Sequence, residues 1–300
     1  MSTNQLINIL LIAPKGKLGS LILKNLLSFP NISINILLQD PSKDKNLAHL
    51  IENSGGKVLK GDLKNPQTLK NITQGIHTVI SAYRPLEENI HVEGHFTLIQ
   101  DCIENGVQRF VLPSFGLDIS RFSAEELSQA VFVPQWLKLK NFIEAQPLNV
   151  LEITQGIYIE AFLAQGFNYW GDIRRQIELT CYEESARVIA EAVARADLMG
   201  KFHVSGQKVM LRELVNVYNR VKGTGLEARS KGNLEELKAL IQDKRQRGDV
   251  LGAKMLRLEL IMNDERSVKE SSEEDCERKN CLLEEFLSKN IGQINFDSLC

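Results

Sequence analysis

Short apolar segments alternate with longer amphipathic segments over the first half of the chain. Six apolar runs predict β-strands, at residues 7–13, 34–38, 58–59, 78–82, 109–112 and 150–154. Five longer segments between them repeat apolar residues at helical spacing: 18–27, 44–53, 66–73, 91–104 and 137–144. Strands separated by helix-length segments are typical of βαβ units. The pattern therefore predicts an α/β fold with a doubly wound parallel sheet that is covered by helices on both faces.

The pattern changes in the second half of the chain. Three further elements are expected in order: a strand at residues 175–180, a helix at 183–196 and a last strand at 202–204. Asn233 is a candidate N-cap of a later helix, because apolar residues recur at helical spacing after it. We therefore expect a doubly wound domain over residues 1–200 and a smaller, mostly helical region over residues 201–300.

Composition and charge narrow the classes of partner. The chain has 300 residues, of which 36 are Lys or Arg and 38 are Asp or Glu, so its formal net charge is -2. This balance gives no overall basic field, and we expect neither a nucleic-acid partner nor binding to an anionic membrane. The apolar run at residues 9–13 is too short to span a bilayer, and the polar residues before it lack the basic start of a signal peptide. We expect a cytoplasmic protein without membrane attachment.

The cysteines and histidines do not form a metal-binding pattern. The five cysteines are odd in number and include no Cys-x-x-Cys pair, which argues against a disulfide framework and a zinc site. His91 and His95 share a helix face at i, i+4, but Val92 stands where the His-Glu-x-x-His motif of zinc enzymes requires glutamate. We therefore predict no metal site.

A glycine-containing turn follows the first predicted strand. Residues 13–19 read Ala-Pro-Lys-Gly-Lys-Leu-Gly and lead directly into a helix. Gly16 and Gly19 hold the second and third glycine positions of a dinucleotide-binding turn, where the backbone must approach a pyrophosphate and a helix must pack closely on a strand. Ala13 holds the first position. The setting predicts a Rossmann-type NAD(P)-binding domain, and the alternative is a degenerate turn that binds no dinucleotide.

Two residues of this turn are unusual. Pro14 has no N–H to donate and biases Ala13 toward extended geometry. The flanking lysines, Lys15 and Lys17, are candidates to supply positive charge in place of the missing donor.

The end of the second predicted strand bears on the choice of cofactor. An acidic side chain there accepts a hydrogen bond from the ribose 2′-OH of NAD, whereas an arginine accommodates the 2′-phosphate of NADP. Gln39 does neither. An inward Asp40 would favour NAD and convergence of the nearby lysines would favour NADP; alternatively, residues 40–42 simply form a turn.

Several segments in this order resemble the NmrA-like and isoflavone reductase-like branch of the atypical short-chain dehydrogenases/reductases. They are residues 13–19, 61–63, 69–81, 107–116, Lys140 with 143–144, 154–158 and 182–186. The segment at 109–116, Arg-Phe-Val-Leu-Pro-Ser-Phe-Gly, is the most specific of them. The resemblance covers residues 7–245 and implies an NAD(P)-binding Rossmann fold with NADP(H) favoured over NAD(H).

The turn, the end of the second strand and the resemblance together indicate a set of candidate cofactor contacts. They come from the turn, from the ends of the second to fifth strands and from a later helix: Lys15, Gly16, Lys17, Leu18, Gly19, Gln39, Asp62, Leu63, Ala82, Tyr83, Arg84, Ser114 and Lys140.

Two residues are candidates for catalysis. Reductases of this family place a lysine at the position of Lys140, where it orients the nicotinamide ribose and assists proton transfer; burial and nearby positive charge would lower its pKa. The wider superfamily has an acid/base tyrosine four residues earlier, where this chain has Trp136, whose indole only donates. Tyr158 is the second catalytic candidate. The alternatives are that Lys140 is a surface lysine and that Tyr158 only packs.

Two functions remain open at this level. The first is an NAD(P)H-dependent oxidoreductase acting on a small, largely apolar carbonyl or enone, with the C-terminal region covering the substrate. The second is a non-catalytic NAD(P)(H) sensor that signals through a regulatory protein partner. Lys140 favours the first, while Trp136, Ala13 and Pro14 favour the second.

Overall fold

The structure is a computed structural model and describes residues 6–83, 90–164, 168–204 and 206–268. The strands, in chain order, are β1 (Ile7–Ile12), β2 (Ile32–Leu38), β3 (Val58–Lys60), β4 (Thr78–Ser81), β5 (Arg109–Val111), β6 (Asn149–Thr154), β7 (Ile157–Tyr158), β8 (Asn168–Tyr169), β9 (Gln176–Thr180), β10 (Gly200–His203), β11 (Gln207–Met210) and β12 (Arg229–Ser230). The helices are α1 (Lys17–Leu26), α2 (Lys45–Asn53), α3 (Ile90–Glu104), α4 (Ala124–Ser128), α5 (Val133–Glu144), α6 (Ile159–Ala164), α7 (Tyr182–Ala194), α8 (Leu211–Lys222), α9 (Leu234–Gln246) and α10 (Val250–Asn263).

The larger sheet confirms the predicted doubly wound architecture. In the described part of the chain it has seven strands in the order β10-β6-β5-β4-β1-β2-β3. The strands from β3 across to β6 pair in parallel. The central strand β1 is almost continuously apolar, and Ile9, Leu10 and Leu11 are fully buried, as expected for a strand covered on both faces.

The chain forms two compact units. The first unit comprises residues 1–115, 135–153 and 185–202, and the second comprises 116–134, 154–184 and 203–300. The first unit contains β1 to β5 with α1, α2 and α3, and its core is formed by buried apolar residues of the sheet and of α3 and α5. The chain leaves this unit after residues 115, 153 and 202.

The second unit is built on a small sheet and a helical hairpin. Strand β9 pairs antiparallel with β11 and parallel with β7, and α8 packs with these strands around a second apolar core. Helices α9 and α10 form the hairpin, to which Trp170 contributes a buried ring. Asn233 caps α9 as predicted, because its side chain accepts a hydrogen bond from the Glu236 N–H at 2.9 Å.

Two predicted elements differ from the structure. Residues 66–73 form only a 3₁₀ turn, Pro66–Leu69, because the buried Asp101 carboxylate accepts hydrogen bonds from the N–H groups of Asn71 and Thr73 and holds them outside a helix. The strand predicted at 202–204 is β10, but it is not the last strand, since β11 and β12 follow it. Among the described residues, no helix is long and apolar enough to cross a bilayer.

Candidate functional site

The carboxyl ends of β1 and β4 form the topological switch point of the larger sheet. From β1 the chain passes through α1 to β2 on one side, whereas β4 pairs with the other side of β1. Ile12 and Ser81 are the last residues of these two strands and are in register. Open α/β sheets bind their ligands outside the carboxyl ends of the strands at such a point. We refer to this region as the β1–β4 crevice.

The glycine-containing turn lies at this crevice and is tighter than predicted. Ala13 has φ +58°, a left-handed conformation, whereas the sequence predicted an extended residue before Pro14. The difference arises because the Gly16 N–H donates to the Ala13 carbonyl oxygen at 3.2 Å, which closes the turn. A side chain in this conformation costs on the order of 1 kcal/mol.

The two glycines of the turn meet different constraints. A Cβ on Gly19 would lie 2.1 Å from the Ala13 carbonyl oxygen, so only glycine allows α1 to pack against the turn. A Cβ on Gly16 would meet that oxygen at 3.4 Å, an ordinary contact. Gly16 is exposed at the N-cap of α1 and offers no capping side chain, so the first turn of the helix presents backbone N–H groups at the crevice. This is the geometry of an anion-binding helix start.

The remaining residues of the turn are placed around this helix start. Lys17 is exposed and Leu18 is half-buried in the first turn of α1. Lys15 is exposed, and its Nζ lies 2.8 Å from Oδ1 and 2.9 Å from Oδ2 of Asp44, which precedes α2.

The residues after β2 form a turn, which was one of the three interpretations open from the sequence. Asp40 Oδ1 accepts hydrogen bonds from the Ser42 hydroxyl at 2.6 Å and from the Ser42 N–H at 3.1 Å. Both bonds lower the pKa of Asp40, and the bond from the hydroxyl has the larger effect. Lys43 Nζ lies 3.7 Å from the same carboxylate, and Gln39 is exposed at the end of the strand. Lys15 and Lys43 therefore face different carboxylates and do not converge.

The segment after β3 is fixed by its own hydrogen bonds. Asp62 Oδ1 accepts from the Lys64 N–H at 2.8 Å, and the Asp62 N–H donates to the Thr68 hydroxyl at 2.9 Å. Leu63 is buried, and its carbonyl oxygen would lie 2.0 Å from a Cβ on Gly94, so α3 passes very close to this segment.

The segment after β4 borders the turn directly. The Ala82 N–H donates to the Ile12 carbonyl oxygen at 3.2 Å, and the Tyr83 N–H donates to the Ser81 hydroxyl at 3.4 Å. Both residues are half-buried. Arg84, the third residue predicted here, lies outside the described residues.

His95 occupies a role that the sequence did not indicate. Its Nε2 lies 2.8 Å from the Ser81 hydroxyl oxygen, and both side chains are buried. The ring of His95 is 6.1 Å from that of Tyr83. In the described segments no three metal-ligating side chains cluster, and the side chain of His91 lies outside them. His95 thus anchors the strand that borders the crevice.

Ser114 is buried where the chain leaves β5. Its hydroxyl donates to the Ile153 carbonyl oxygen at 3.4 Å, and its N–H donates to the Leu112 carbonyl oxygen at 2.8 Å. The hydroxyl bond ties the segment after β5 to the carboxyl end of β6, and the N–H bond is local to that segment.

Lys140 lies on α5 between two carboxylates. Its Nζ is 2.6 Å from Glu144 Oε1 and 2.6 Å from Glu152 Oε2, and it lies 5.7 Å from the centre of the Trp136 ring. Burial alone would lower the pKa of Lys140, but the hydrogen bonds to Glu144 and Glu152 outweigh it and raise that pKa. The expected lowering toward neutrality is therefore wrong, because negative rather than positive charges surround the amine. Lys140 is a fixed cation.

Glu152 is a partner of Lys140 that the sequence did not indicate. Its side chain is 5% exposed and lies on strand β6 between the apolar residues Leu151 and Ile153. A glutamate inside an apolar run was the available signal, since a buried carboxylate needs a cationic or hydrogen-bonding partner.

Tyr158 belongs to the second unit, whereas Lys140 belongs to the first. Tyr158 ends β7 and is half-buried, with its ring stacked on Tyr182 at a centroid distance of 4.1 Å. This contact supports the packing role considered for Tyr158, and its catalytic role stays a prediction.

Comparison with known proteins finds similar sequences and folds. The sequence profile of the NmrA-like family matches residues 6–169, more than half of the chain. Among solved structures, isoflavone reductase superposes with a TM-score of 0.74 at 17% sequence identity, covering 94% of this chain and 98% of that chain. No curated protein sequence gives a significant match.

Two other similar structures contain cofactor. Triphenylmethane reductase from Citrobacter sp., complexed with NADP(H), gives a TM-score of 0.64 at 15% identity and covers 88% of this chain and 93% of that chain. The complex of leucoanthocyanidin reductase with NADPH from Vitis vinifera gives a TM-score of 0.66 at 15% identity, with 88% and 89% covered. At these identities the similarity establishes the fold.

Proposed function

The chain belongs to the NmrA-like family, and on that basis we propose that it is an NAD(P)H-dependent reductase that binds NADP(H) at the β1–β4 crevice. The observation that carries this proposal is the turn at the crevice, where a Cβ on Gly19 would strike the Ala13 carbonyl oxygen while Gly16 leaves the helix start open. Both features fit a bound pyrophosphate. The NADP(H) complexes of structurally similar reductases support the choice of NADP(H) over NAD(H).

The proposed binding residues fall into groups along the crevice. The turn contributes Lys15, Gly16, Lys17, Leu18 and Gly19, and the ends of β2 to β5 contribute Gln39, Asp62, Leu63, Ala82, Tyr83 and Ser114. Arg84 stays a candidate from the sequence alone. Because His95 holds Ser81, the Ala82–Tyr83 backbone is fixed before any ligand arrives. A fixed backbone lowers the ordering cost of binding.

Lys140 acts in this proposal as a positioning cation. An ammonium has three N–H donors, and two of them face Glu144 and Glu152, which leaves one for a ribose hydroxyl. When bound, the cofactor supplies the hydride. Since the pKa of Lys140 is raised, its ammonium is a weak acid, and we assign proton donation to the phenol of Tyr158. The substrate class proposed is a small, largely apolar carbonyl or enone.

Titration with NADPH and NADH, followed by oxidation assays with a panel of enones and aldehydes, tests the proposal. Lys140→Ala should reduce turnover by about 100-fold or more, the size expected when a group that orients the cofactor is lost, and circular dichroism checks that the variant is folded. Lys138→Ala, an exposed lysine on the same helix, is the matched control and should retain full turnover. If wild type binds neither dinucleotide, the reductase proposal is wrong.

A non-catalytic dinucleotide sensor is the second candidate, favoured by Trp136. It occupies the position where the superfamily has its acid/base tyrosine, and its indole N–H is buried without a hydrogen-bond partner among the described residues. Tight NADPH binding without turnover over the whole panel would support this candidate. A sensor should also show altered hydrogen exchange at surfaces away from the crevice when NADPH binds, which a regulatory protein partner could recognise.

A further inference from the structure

Lys15 and Asp44 join the phosphate turn to the loop that follows β2. The two oxygens of Asp44 lie 2.8 and 2.9 Å from Lys15 Nζ. Asp44 occupies the N-cap position of α2, where an aspartate ordinarily accepts a hydrogen bond from its own helix, yet its side chain makes no capping bond. Its carboxylate is therefore committed to Lys15.

The two residues that directly follow β2 provide no positive charge for an anion. Gln39 is neutral, and the Asp40 carboxylate is held by Ser42 with Lys43 3.7 Å away. Lys15 is the cation that the phosphate turn extends to the loop after β2, where Asp44 largely neutralises it, whereas the exposed Lys60, in register with Leu38, acts on Asp40.

We infer that Lys15 recognises the 2′-phosphate of NADPH, an inference that rests on the proposed function. Asp44 competes with this phosphate for the Lys15 ammonium. The pair therefore sets the preference between NADPH and NADH. The Lys15 side chain is 57% exposed, and breaking such an exposed ion pair costs little. A phosphate carries more charge than a carboxylate and forms charge-assisted hydrogen bonds to ammonium. NADH lacks the phosphate and leaves the ion pair intact.

The inference is tested by measuring the dissociation constants of NADPH and NADH for wild type, Lys15→Met, Asp44→Asn and the double variant. Lys15→Met should weaken NADPH binding about tenfold, the size expected for one charge-assisted hydrogen bond, and change NADH binding less than about twofold. Asp44→Asn should strengthen NADPH binding roughly threefold or more with NADH unchanged. This gain should vanish in the double variant.

Two control variants isolate the roles of Lys15 and Asp44. Lys43→Met removes an exposed lysine of the same loop and should leave both constants within about twofold of wild type. Asp44→Ser removes the carboxylate but retains a group that can cap α2, so it tests the prediction if Asp44→Asn folds poorly. Equal weakening of NADPH and NADH by Lys15→Met would overturn the inference, whereas wild type that binds neither dinucleotide would overturn the proposed function itself.

Discussion

Arg109, on the buried strand β5, donates a hydrogen bond of 2.7 Å to the carbonyl oxygen of Val193 in the last turn of α7. The same guanidinium donates to the carbonyl oxygens of Arg195 and Leu198 at 2.6 and 2.8 Å. The last carbonyls of a helix have no partners within it and favour a cation. Burial lowers the pKa of Arg109 to about 10, which still leaves it charged at neutral pH. The first residue of the Arg-Phe-Val-Leu-Pro-Ser-Phe-Gly segment thus ends a helix and stabilises the fold.

Replacing Arg109 by Met should lower the free energy of unfolding by about 3–5 kcal/mol, because buried carbonyl groups lose their donors. Arg109→Lys keeps the charge but not the planar set of donors, so its loss should be smaller. Urea denaturation followed by fluorescence measures both, with Lys138→Met as an exposed control. A loss below about 1 kcal/mol for Arg109→Met would contradict this assignment.

Alanine substitutions at the two turn glycines should affect different properties. Gly19→Ala should mainly lower stability, whereas Gly16→Ala should mainly weaken NADPH binding. Gly19→Ala places a Cβ 2.1 Å from a backbone oxygen and should lower the free energy of unfolding by about 2–3 kcal/mol or more. Gly16→Ala meets only an ordinary contact and should cost less than about 1 kcal/mol. Under the proposed function, however, the Gly16→Ala methyl group faces the pyrophosphate, so NADPH affinity should fall at least about tenfold. Each variant is the control for the other, and equal stability of the two would contradict the packing argument.

Ala13 offers a test of backbone strain in the same turn. Its φ of +58° is accessible to glycine without penalty. Ala13→Gly should therefore raise the free energy of unfolding by about 1 kcal/mol, less the entropy that glycine adds to the unfolded chain. Thermal unfolding by circular dichroism measures the change, and Pro14→Ala controls for altered turn flexibility. A clear loss of stability on Ala13→Gly would show that Ala13 is not strained.

The inner strands β1, β2, β4, β5 and β6 of the larger sheet were predictable because they are largely buried on both faces and therefore mostly apolar in sequence. Residues 34–38 and 150–154 became β2 and β6 with shifts of at most two residues at an end. The two-residue strands β7, β8 and β12 carry no such signal, since their pairing depends on partners far along the chain. Helix α10 was missed because its exposed end carries apolar residues, among them Val250 and Leu251, which obscure a helical stripe.

The crevice was predictable in kind, because a strand, a glycine turn and a helix in that order define it. The ion pairs that its lysines form were not predictable. The carboxylates of Asp44 and Glu152 reach Lys15 and Lys140 only through the fold, over 29 and 12 residues of chain. Nothing in local spacing reports such a contact, and these two contacts decide how the lysines behave.

In the second unit, Glu178 and His203 form a buried pair whose stability should depend on pH. His203 Nε2 and the Gly206 N–H lie 2.9 and 2.8 Å from Glu178 Oε1, and Lys208 adds a more distant positive charge. Burial opposes the charge on Glu178, but the bonds from His203 and Gly206 outweigh it and lower the pKa of Glu178. A carboxyl whose pKa is lowered in the folded state stabilises it above the ordinary value of about 4.3. That contribution is lost as the pH falls through the lowered pKa.

Glu178→Gln should therefore be less stable than wild type by about 1–3 kcal/mol at pH 6 to 7, and the difference should narrow as the pH falls below about 4. Urea unfolding at intervals between pH 3 and 7 gives the two curves. Glu235→Gln, whose side chain is 80% exposed, controls for the general effect of removing a carboxylate and should follow wild type. A difference that stays constant down to pH 3 would mean that the charge of Glu178 does not stabilise the unit.

The pair Glu152 and Lys140 gives the most direct test of whether Lys140 is a fixed cation. Replacing Glu152 by Gln removes a buried carboxylate 2.6 Å from Lys140 Nζ. Burial lowers the pKa of Lys140 and this carboxylate raises it, so the pKa of Lys140 should fall in the variant. A ¹³C NMR titration of the Lys140 Cε signal, assigned by its loss in Lys140→Arg, measures this. Lys138, exposed on the same helix, is the control residue.

Under the proposed function, the same substitution should change the pH dependence of turnover. If the charge of Lys140 orients the ribose, activity in Glu152→Gln should decline at lower pH than in wild type, because the ammonium loses its proton earlier. An unchanged Lys140 pKa would show that Glu144 alone holds the charge. A lowered Lys140 pKa with an unchanged pH profile would instead separate the lysine from the reaction, and would favour the sensor over the reductase.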